Sequence, residues 1–164
     1  MRMDQNQERI FLETVRENRD RMFRIAMSLL HAPADAEDAV SAAVESTWKH
    51  YHGIRDPKAL AAYMIRSAVN AAKDELRRRK RTVPMEEIEQ EPAPANREDP
   101  LFEYICELEE KYRLPLVMKM QERMTEQEIA SALRVPRGTV SSRIRHALSI
   151  LKEQMTKEGP VHAE

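Results

Sequence analysis

Residues 125–151, TEQEIASALRVPRGTVSSRIRHALSIL, contain the clearest structural pattern in this chain. Thr125 and Glu128 have the spacing of a capping box, in which two side chains satisfy each other's backbone N–H groups at a helix start. Apolar residues then recur at helical spacing until Pro136, which lacks an N–H group and biases Val135 away from helical angles. A second periodic run follows, so the stretch predicts two helices joined by a tight turn. The apolar stripes are Ile129, Ala130 and Leu133 in the first helix and Val140, Ile144, Ala147, Leu148 and Leu151 in the second.

The second predicted helix has a polar face without carboxylates. Between Arg137 and Lys152 the sequence contains four Lys or Arg residues and no Asp or Glu. Serine can bond several base edges, arginine can grip guanine through two hydrogen bonds, and further cations can meet phosphates. The pattern favours the second helix of a DNA-binding helix-turn-helix, although a helical hairpin with a solvated polar face has the same periodicity. The residues of this face are Ser141, Ser142, Arg145, His146 and Ser149.

The composition favours helices over strands. The 164 residues include only three Gly and 5% aromatic residues, and they are rich in the helix formers Ala, Leu, Met, Glu and Arg. The net charge of −1 does not by itself indicate nucleic-acid binding, but this sum conceals segregated basic and acidic stretches. A single Cys, Cys106, excludes an internal disulfide framework and fits a reducing compartment. The polar N-terminus and the lack of a long apolar run predict a cytoplasmic protein.

The first eighty residues predict four amphipathic helices. The first is expected to end near residue 18 and the second at Leu30. Asp35 is expected to cap the third helix, and Asp56 followed by Pro57 is a favourable start for the fourth, which should run to about Arg79. The apolar positions are Ile10, Phe11, Leu12 and Val15 in the first helix, Met22, Ile25, Ala26, Leu29 and Leu30 in the second, Ala36, Ala39, Val40, Ala43, Val44, Thr47, Trp48 and Tyr51 in the third, and Leu60, Tyr63, Met64, Ser67, Ala68, Ala71 and Ala72 in the fourth.

Two charged stretches follow these helices. Residues 77–81 are five consecutive cations, more than a helix C-terminus requires, and phosphate contact is our preferred interpretation. Residues 82–100 contain four Pro and six acidic residues against one cation, Arg97, which predicts an extended, self-repelling linker. We therefore predict an all-α protein with two small helical domains. Their expected bounds are 1–81 for the first domain, 82–100 for the linker, 101–156 for the second domain with the terminal helix-turn-helix, and 157–164 for a tail.

Residues 101–124 predict a helical segment that leads into the helix-turn-helix. Pro115 is expected to break or kink this segment because it removes a backbone hydrogen bond. Cys106 lies among apolar residues and is expected to be a buried or half-buried thiol. The core candidates are Leu108, Tyr112, Leu116, Val117 and Met120.

The sequence contains no pattern typical of an enzyme or a metal site. It has no phosphate-binding glycine loop, no HExxH motif, and no Ser or Cys in a nucleophile context. His50 and His52 are close together, but no cluster of Cys or carboxylates completes a ligand set. We therefore expect a non-catalytic protein without a metal or cofactor.

The motifs of both halves resemble those of the extracytoplasmic-function class of bacterial sigma factors, which keep only sigma domains two and four. In the N-terminal half, residues 35–38 match the family's DAED motif, and residues 63–70 match a pattern that ends in Asn before basic residues. The order and separation of the motifs agree over nearly the whole chain. The matching residues of the C-terminal half are Tyr112, Arg113, Leu116, Thr125, Glu128, Ile129, Ala130 and the run 136–143.

This resemblance implies a transcription initiation factor that acts with core RNA polymerase. Domain two would dock on the coiled coil of the largest polymerase subunit and would help to melt the minus-ten promoter element. The implied polymerase-binding residues are Asp35, Glu37, Asp38, Ser41 and Glu45. The implied minus-ten residues, which would supply cations and pockets to the exposed strand, are His52, Gly53, Arg66, Asn70, Lys73, Arg77 and Arg78.

The resemblance also implies how the other parts of the chain act. Domain four would bind the minus-thirty-five element. The acidic linker would thread through the polymerase toward the active site, where its charge resembles that of RNA. An anti-sigma protein, often membrane-anchored in this family, would hold the factor inactive and cover its DNA-binding faces. The implied minus-thirty-five residues are Arg137, Thr139, Ser141, Ser142, Arg143, Arg145 and His146.

Several positions depart from the family pattern. Ser41 replaces a usual Gln and Ala42 replaces a commonly acidic residue, so the polymerase contact there would differ. Tyr63 replaces a usual Trp. Arg123 and Arg134 stand where the family has Gly in two turns. If the Arg134 backbone is left-handed, a non-Gly residue there costs on the order of 1 kcal/mol.

Two other classes of protein remain open on the sequence alone. The first is a polymerase-independent helix-turn-helix regulator whose N-terminal helices serve dimerisation or sensing. The second is an interaction protein that binds a partner helix and never contacts DNA. The DAED helix and the basic stretch from Asn70 to Arg81 argue against the first class. The polar face without carboxylates argues against the second.

Overall fold

The computed structural model describes residues 4–50, 54, 56–82 and 100–157, except for the side chains of Pro100 and Phe102. These residues form seven α-helices and no strand, so the predicted all-α class is confirmed. The chain divides into two compact units, Met1–Ala93 and Pro94–Glu164. The predictions for Tyr51, His52 and Gly53, for linker residues 83–99 and for tail residues 158–164 lie outside the described residues.

Unit 1, Met1–Ala93, is built around three long helices that pack against one another in pairs. They are α1 (Gln5–Leu30), α2 (Pro33–His50) and α3 (Pro57–Thr82). Phe11 of α1 and Trp48 of α2 meet in a T-shaped ring contact, with centroids 4.9 Å apart. The largest side chains that are fully buried in this unit are Met22, Ile25, Leu30, Leu60, Met64 and Val69.

The prediction of two helices within residues 1–30 is wrong, because α1 is continuous. Its buried stripe does not stop near residue 18 but passes through the polar residues Thr14 and Asn18. Both side chains donate to α1 itself: Thr14 Oγ1 to the Ile10 carbonyl at 2.7 Å and Asn18 Nδ2 to the Thr14 carbonyl at 2.8 Å. A buried polar group that is hydrogen-bonded in this way carries little penalty. The apolar residues that helical periodicity assigned to two helices therefore form one stripe along a single helix.

The starts of α2 and α3 are set by proline. Helix α2 begins at Pro33, and the Ala36 N–H donates to the Ala32 carbonyl at 2.9 Å, so the prediction that Asp35 is the N-cap is wrong. Proline favours the first helical position because its missing N–H would have no partner there. Helix α3 begins at Pro57 as predicted, with the Lys58 N–H donating to Asp56 Oδ1 at 3.0 Å.

Unit 2, Pro94–Glu164, contains four helices. They are α4 (Pro100–Glu107), α5 (Glu110–Met120), α6 (Glu126–Leu133) and α7 (Arg137–Lys157). The break in the predicted lead-in falls at Leu108 and Glu109, and Pro115 remains inside α5. Pro115 and the residues on both sides of it are buried, so packing offsets the one backbone bond that proline removes. Of the predicted break or kink, the break is therefore wrong, since α5 continues through Pro115.

The two turns of unit 2 have left-handed backbone residues. Arg123, before α6, has φ 52°, and Arg134, the C-cap of α6, has φ 54° and ψ 47°. The Arg134 N–H donates to the Ala130 carbonyl. Thr125 and Glu128 form the predicted capping box, with N–O distances of 3.0 and 3.1 Å. Helix α6 therefore has a defined start and end, and this fixes the turn that leads into α7.

Four residues at predicted apolar positions are exposed. Leu12 and Trp48 are each 45% exposed, Met120 is 52% exposed and Leu148 is 46% exposed. Met120 and Leu148 border an open apolar depression of about 370 Å³ in unit 2. Each lies at the edge of its helix stripe, where helical spacing alone does not distinguish a buried position from a border position. Within the described residues, none of the seven helices combines the length and the apolar character that a membrane span requires.

Candidate nucleic-acid and protein interfaces

Helix α7 separates an apolar side from a polar side. Its buried residues are Val140, Ile144, Ala147 and Leu151, which pack toward α5 and α6. The predicted contact residues lie away from this stripe, on a side where the described part of α7 up to Lys152 has no Asp or Glu of its own. Ser142, Arg145, His146, Ser149 and Arg137 are exposed, whereas Thr139, Ser141 and Arg143 are half-buried. The arrangement is that of a helix that can present hydroxyls and guanidinium groups to a nucleic-acid groove.

His146 is not an isolated side chain on this face. Its ring lies against the Tyr112 ring of α5, with centroids 4.6 Å apart and planes inclined by 47°. The Lys111 ammonium lies 4.9 Å from the same Tyr112 ring centroid, within cation–π distance. Tyr112, which the sequence marked as a core candidate, is therefore half-buried and supports the polar face of α7.

A carboxylate from α6 reaches the polar side of α7. Ser141 Oγ donates to Glu126 Oε2 at 2.6 Å, and the same oxygen lies 3.8 Å from Arg137 Nε. The charges within α7 do not reveal Glu126, because this residue lies on the neighbouring helix. A tight turn predicts only that the end of α6 lies close to the start of α7, so the sequence carried no signal for a contact from the first residue of α6.

Helix α3 presents most of the predicted minus-ten residues on one side. Arg66, Asn70, Lys73 and Arg77 follow one another at spacings of three or four residues, which places them on one helix face. Asn70 and Arg77 are exposed, and Arg66 and Lys73 are half-buried. The Arg66 guanidinium lies 5.8 Å from the Tyr63 ring centroid. A mixed cationic, amide and aromatic face of this kind suits a single nucleic-acid strand.

The basic run at the end of α3 is engaged within the protein at several positions. Arg77 pairs with Asp74 at 2.8 Å, and Arg78 donates twice to the Glu75 carboxylate at 2.7 and 2.9 Å. The hydrogen bond from Arg78 is the largest cause of a lowered pKa at the Glu75 carboxyl. Both arginine side chains remain about two-thirds exposed, so their surface pairs are weak and can open toward phosphates.

Arg79 has a structural position within the same run. Its Nη1 donates to the Leu30 carbonyl at the end of α1 at 2.9 Å, and its Nη2 forms an ion pair with Asp35 at the start of α2. One guanidinium therefore connects all three helices of unit 1. Asp35, predicted to contact polymerase, is turned toward this ion pair and is about one-third exposed.

The other predicted polymerase-binding residues lie on an exposed side of α2. Glu37, Asp38, Ser41 and Glu45 are all exposed, and Glu45 pairs with Lys49 at 3.1 Å. Three of the four border a groove of about 980 Å³ between α1 and α2, which the sequence did not reveal. An apolar groove rimmed by charges is typical of a protein interaction site. Its apolar lining consists of Phe11, Leu12, Val15, Phe23, Val40, Val44 and Trp48.

Two family models match this chain, one in each unit. Sigma-70 region 2 matches residues 14–82, and Sigma-70 region 4 matches residues 99–151. The RNA polymerase sigma-E factor of Streptomyces coelicolor is 31% identical over 151 residues, which cover 88% of this chain and 85% of that protein. The sigma factor SigV of Bacillus subtilis is 24% identical over 163 residues, which cover 96% of this chain and 98% of that protein.

The same fold occurs in a solved structure. The sigma factor RpoE of Bartonella quintana, in complex with the anti-sigma factor NepR, has a TM-score of 0.69 to this chain. It shares 19% sequence identity, and the match covers 87% of this chain and 94% of that chain. At this identity the likeness concerns the fold.

The chain therefore belongs to the sigma-70 family of RNA polymerase sigma factors, in the extracytoplasmic-function class. The resemblance that the sequence motifs predicted is confirmed. A polymerase-independent regulator is not favoured, because both sigma regions match in the expected order.

Proposed function

We propose that this sigma factor recruits core RNA polymerase to promoters through a docking face on α2 and through separate DNA-binding faces on α3 and α7. Residues 1–81 act as sigma domain two and residues 101–156 as sigma domain four. Residues 82–100 link them, and residues 157–164 form a tail. The observation that carries this proposal is the exposed hydroxyl and guanidinium face of α7, which lies opposite a buried apolar stripe.

The minus-thirty-five element meets α7. Ser142, Arg145 and His146 are exposed in the N-terminal half of the helix, the part that contacts base edges when a recognition helix lies in the major groove. Arg145 can grip a guanine through two hydrogen bonds, and Ser142 can bond several bases. Arg137, Thr139 and Arg143 hold α7 in position on the DNA by contacting its sugar and phosphate groups.

Polymerase docking occupies α2. Glu37, Ser41 and Glu45 border the groove that contains the exposed side chains of Leu12 and Trp48, and Asp38 is exposed on the same helix. A polymerase segment with cations along an apolar ridge would fit both features, since cations pair with the carboxylates and the ridge fills the groove. Ser41, where the family has Gln, contributes a shorter contact at the centre of this face.

The minus-ten element meets α3. Arg66, Asn70, Lys73 and Arg77 provide cations and an amide along one helix face, and Arg78 adds a further cation. Single-stranded DNA binds by backbone neutralisation and by stacking of its bases. Tyr63, beside Arg66, supplies an aromatic surface for one such base.

The proposed partners are core polymerase, promoter DNA and an anti-sigma protein. The structural relative from Bartonella quintana is itself bound to an anti-sigma factor, which supports this class of inhibitor for the present chain. The inhibitor would cover the proposed docking or DNA-binding faces. We place the protein in the cytoplasm, where polymerase and promoters are found, and assign it no chemical step of its own.

Assembly with purified core polymerase tests the proposal. The full chain is mixed with core polymerase and separated by size exclusion, and each fraction is then tested for retention of promoter fragments. We expect the chain to elute with polymerase and the assembled complex to retain promoter DNA. Tight binding of the free chain to a palindrome, with no polymerase association, would mean that the proposal is wrong.

A further inference from the structure

Glu126 and Ser141 form a pair that bridges the two helices of the helix-turn-helix. Glu126 is the first residue of α6 and Ser141 the fifth of α7. The oxygen–oxygen distance of 2.6 Å is short, as expected when a hydroxyl donates to a carboxylate. The Glu126 side chain is 27% exposed, so one side of the pair remains open to an incoming ligand.

The hydroxyl hydrogen of Ser141 is committed to this bond. A serine hydroxyl has one hydrogen to donate and two lone pairs that accept. The other nearby acceptor, the Arg137 carbonyl, lies farther away at 3.2 Å and is uncharged. With its hydrogen directed at Glu126, Ser141 can only accept from a ligand. The Glu126 carboxylate also only accepts, so the pair presents acceptors alone.

We propose that Glu126 is a specificity-determining residue for promoter recognition because it fixes Ser141 as an acceptor. In the major groove, adenine and cytosine present an amino group, whereas guanine and thymine present carbonyl oxygens. The pair therefore selects adenine or cytosine at one position on one strand of the upstream element. A guanine or thymine there would bring its carbonyl oxygen against the acceptor oxygens of Ser141 and Glu126. This inference rests on the proposed contact of α7 with DNA.

A purely structural role for Glu126 makes a different prediction. A carboxylate in the first turn of α6 complements the helix dipole, and its bonds to α7 could serve only to hold the two helices together. In that case removal of the carboxylate would lower stability or overall affinity and leave base preference unchanged. The decisive measurement is therefore base preference at each position, not affinity.

The test uses enrichment of promoter fragments with a randomised upstream element by the full chain assembled with core polymerase. The variants are Glu126→Gln, which keeps the shape but can donate through its amide, and Ser141→Ala. Glu153→Gln is the matched control, because it removes an exposed carboxylate of α7 that pairs with Lys157 of the same helix at 3.0 Å. Ser131→Ala, at an exposed position of α6, controls for loss of a hydroxyl.

We expect the unmodified chain to favour adenine or cytosine over guanine and thymine by about fivefold or more at one position of the enriched element. Both Glu126→Gln and Ser141→Ala should reduce this preference at that same position and leave the other positions unchanged. The two controls should leave every position unchanged.

Two results would overturn the inference while the proposed function stands. One is an upstream motif whose base preferences are the same with and without Glu126→Gln. The other is a base preference that Ser141→Ala removes and Glu126→Gln leaves unchanged. In that case the direction of the Ser141 hydroxyl hydrogen would not depend on Glu126. If the unmodified chain enriches no upstream motif at all, the proposed function fails and this inference fails with it.

Discussion

Arg134 holds a backbone conformation that glycine adopts without strain. Its φ of 54° and ψ of 47° lie in the left-handed region, as do the backbone angles expected of a helix C-cap glycine. The sequence predicted that a non-Gly residue here would be strained if its backbone were left-handed, and the backbone is left-handed. Arg123, with φ 52°, has the same left-handed backbone in the turn before α6.

We expect Arg134→Gly to raise the free energy of unfolding by about 0.5–1 kcal/mol, since the relief of backbone strain exceeds the added flexibility of the unfolded chain. Urea unfolding followed by circular dichroism measures the change. Ser131→Gly, at an exposed position inside α6, is the matched control and should lower stability by a similar amount. A loss of stability in Arg134→Gly would contradict the strain assignment.

Arg145 is the side chain for which direct base contact has the clearest chemical basis. We expect Arg145→Ala to cost about 1–3 kcal/mol of discrimination between promoters and to relax base preference at one position. Competition between promoter fragments for the polymerase-bound chain measures this. Lys152→Ala, at an exposed position later in α7, should at most weaken binding evenly across fragments. An unchanged promoter preference in Arg145→Ala would remove Arg145 from the base-reading set.

At the scale of elements, one arginine connects the three helices of unit 1. Arg79 of α3 donates to the last carbonyl of α1 and pairs with Asp35 in the first turn of α2. A cation near a helix C-terminus and a carboxylate near a helix N-terminus each complement the helix dipole. The Arg79 side chain is 27% exposed, so solvent screens these interactions only in part.

We expect Arg79→Ala to lower the free energy of unfolding by about 1–2 kcal/mol. Arg77→Ala should lower it by less than about 0.5 kcal/mol, because the pair of Arg77 with Asp74 is a surface contact within one helix. Thermal unfolding of both variants makes the comparison. Equal effects would show that Arg79 is merely another solvated cation of the basic run.

The docking role of α2 has its own test. We expect Asp38→Ala to weaken binding to core polymerase by about 1–3 kcal/mol, since it removes a charge-assisted contact at the proposed interface. Its effect on the contact of α7 with DNA should be absent, because Asp38 lies in the other unit. Asp74→Ala, an exposed carboxylate on α3, serves as the control for charge. Unaltered polymerase affinity in Asp38→Ala would count against the docking face.

The elements of unit 2 could be predicted where a local signal defined each end. The capping box at Thr125 and the proline at position 136 gave α6 and the start of α7 from sequence alone. The break between α4 and α5 carried no such signal. There, Arg113 of α5 donates to the Cys106 carbonyl at 2.8 Å, a contact that exists only in the folded unit. Burial lowers the pKa of the Arg113 guanidinium and raises the pKa of the Cys106 thiol.

A candidate interface could be predicted from the sequence where all of its residues lie on one helix. Spacing along α7 and α3 identified the polar faces, and residues 35–45 of α2 were recognisable by their family motif. Spacing could not reveal what depends on two helices. The groove between α1 and α2, the contact of Tyr112 with His146, and the bond from Ser141 to Glu126 all join residues far apart in sequence.

Across the whole molecule, the acidic and the basic residues of the proposed interfaces lie on different helices. The net charge of −1 is the sum of 28 acidic and 27 basic residues over the whole chain. The exposed side of α2 is acidic, with Glu37, Asp38 and Glu45, whereas the proposed DNA-binding faces of α3 and α7 are rich in Arg and Lys. This separation lets one chain attract a cationic protein surface and polyanionic DNA at different places. A sigma factor needs both attractions at once.

Transcription by core polymerase from a pool of promoter fragments shows directly whether α3 and α7 recognise two separate promoter elements. With the full chain added, we predict new start sites whose upstream sequences share two motifs at a constant spacing, one for each DNA-binding face. Core polymerase alone should give none of these starts. If the chain binds DNA but adds no start sites, or if the new start sites share no pair of spaced motifs, the proposed division of labour between α3 and α7 is wrong.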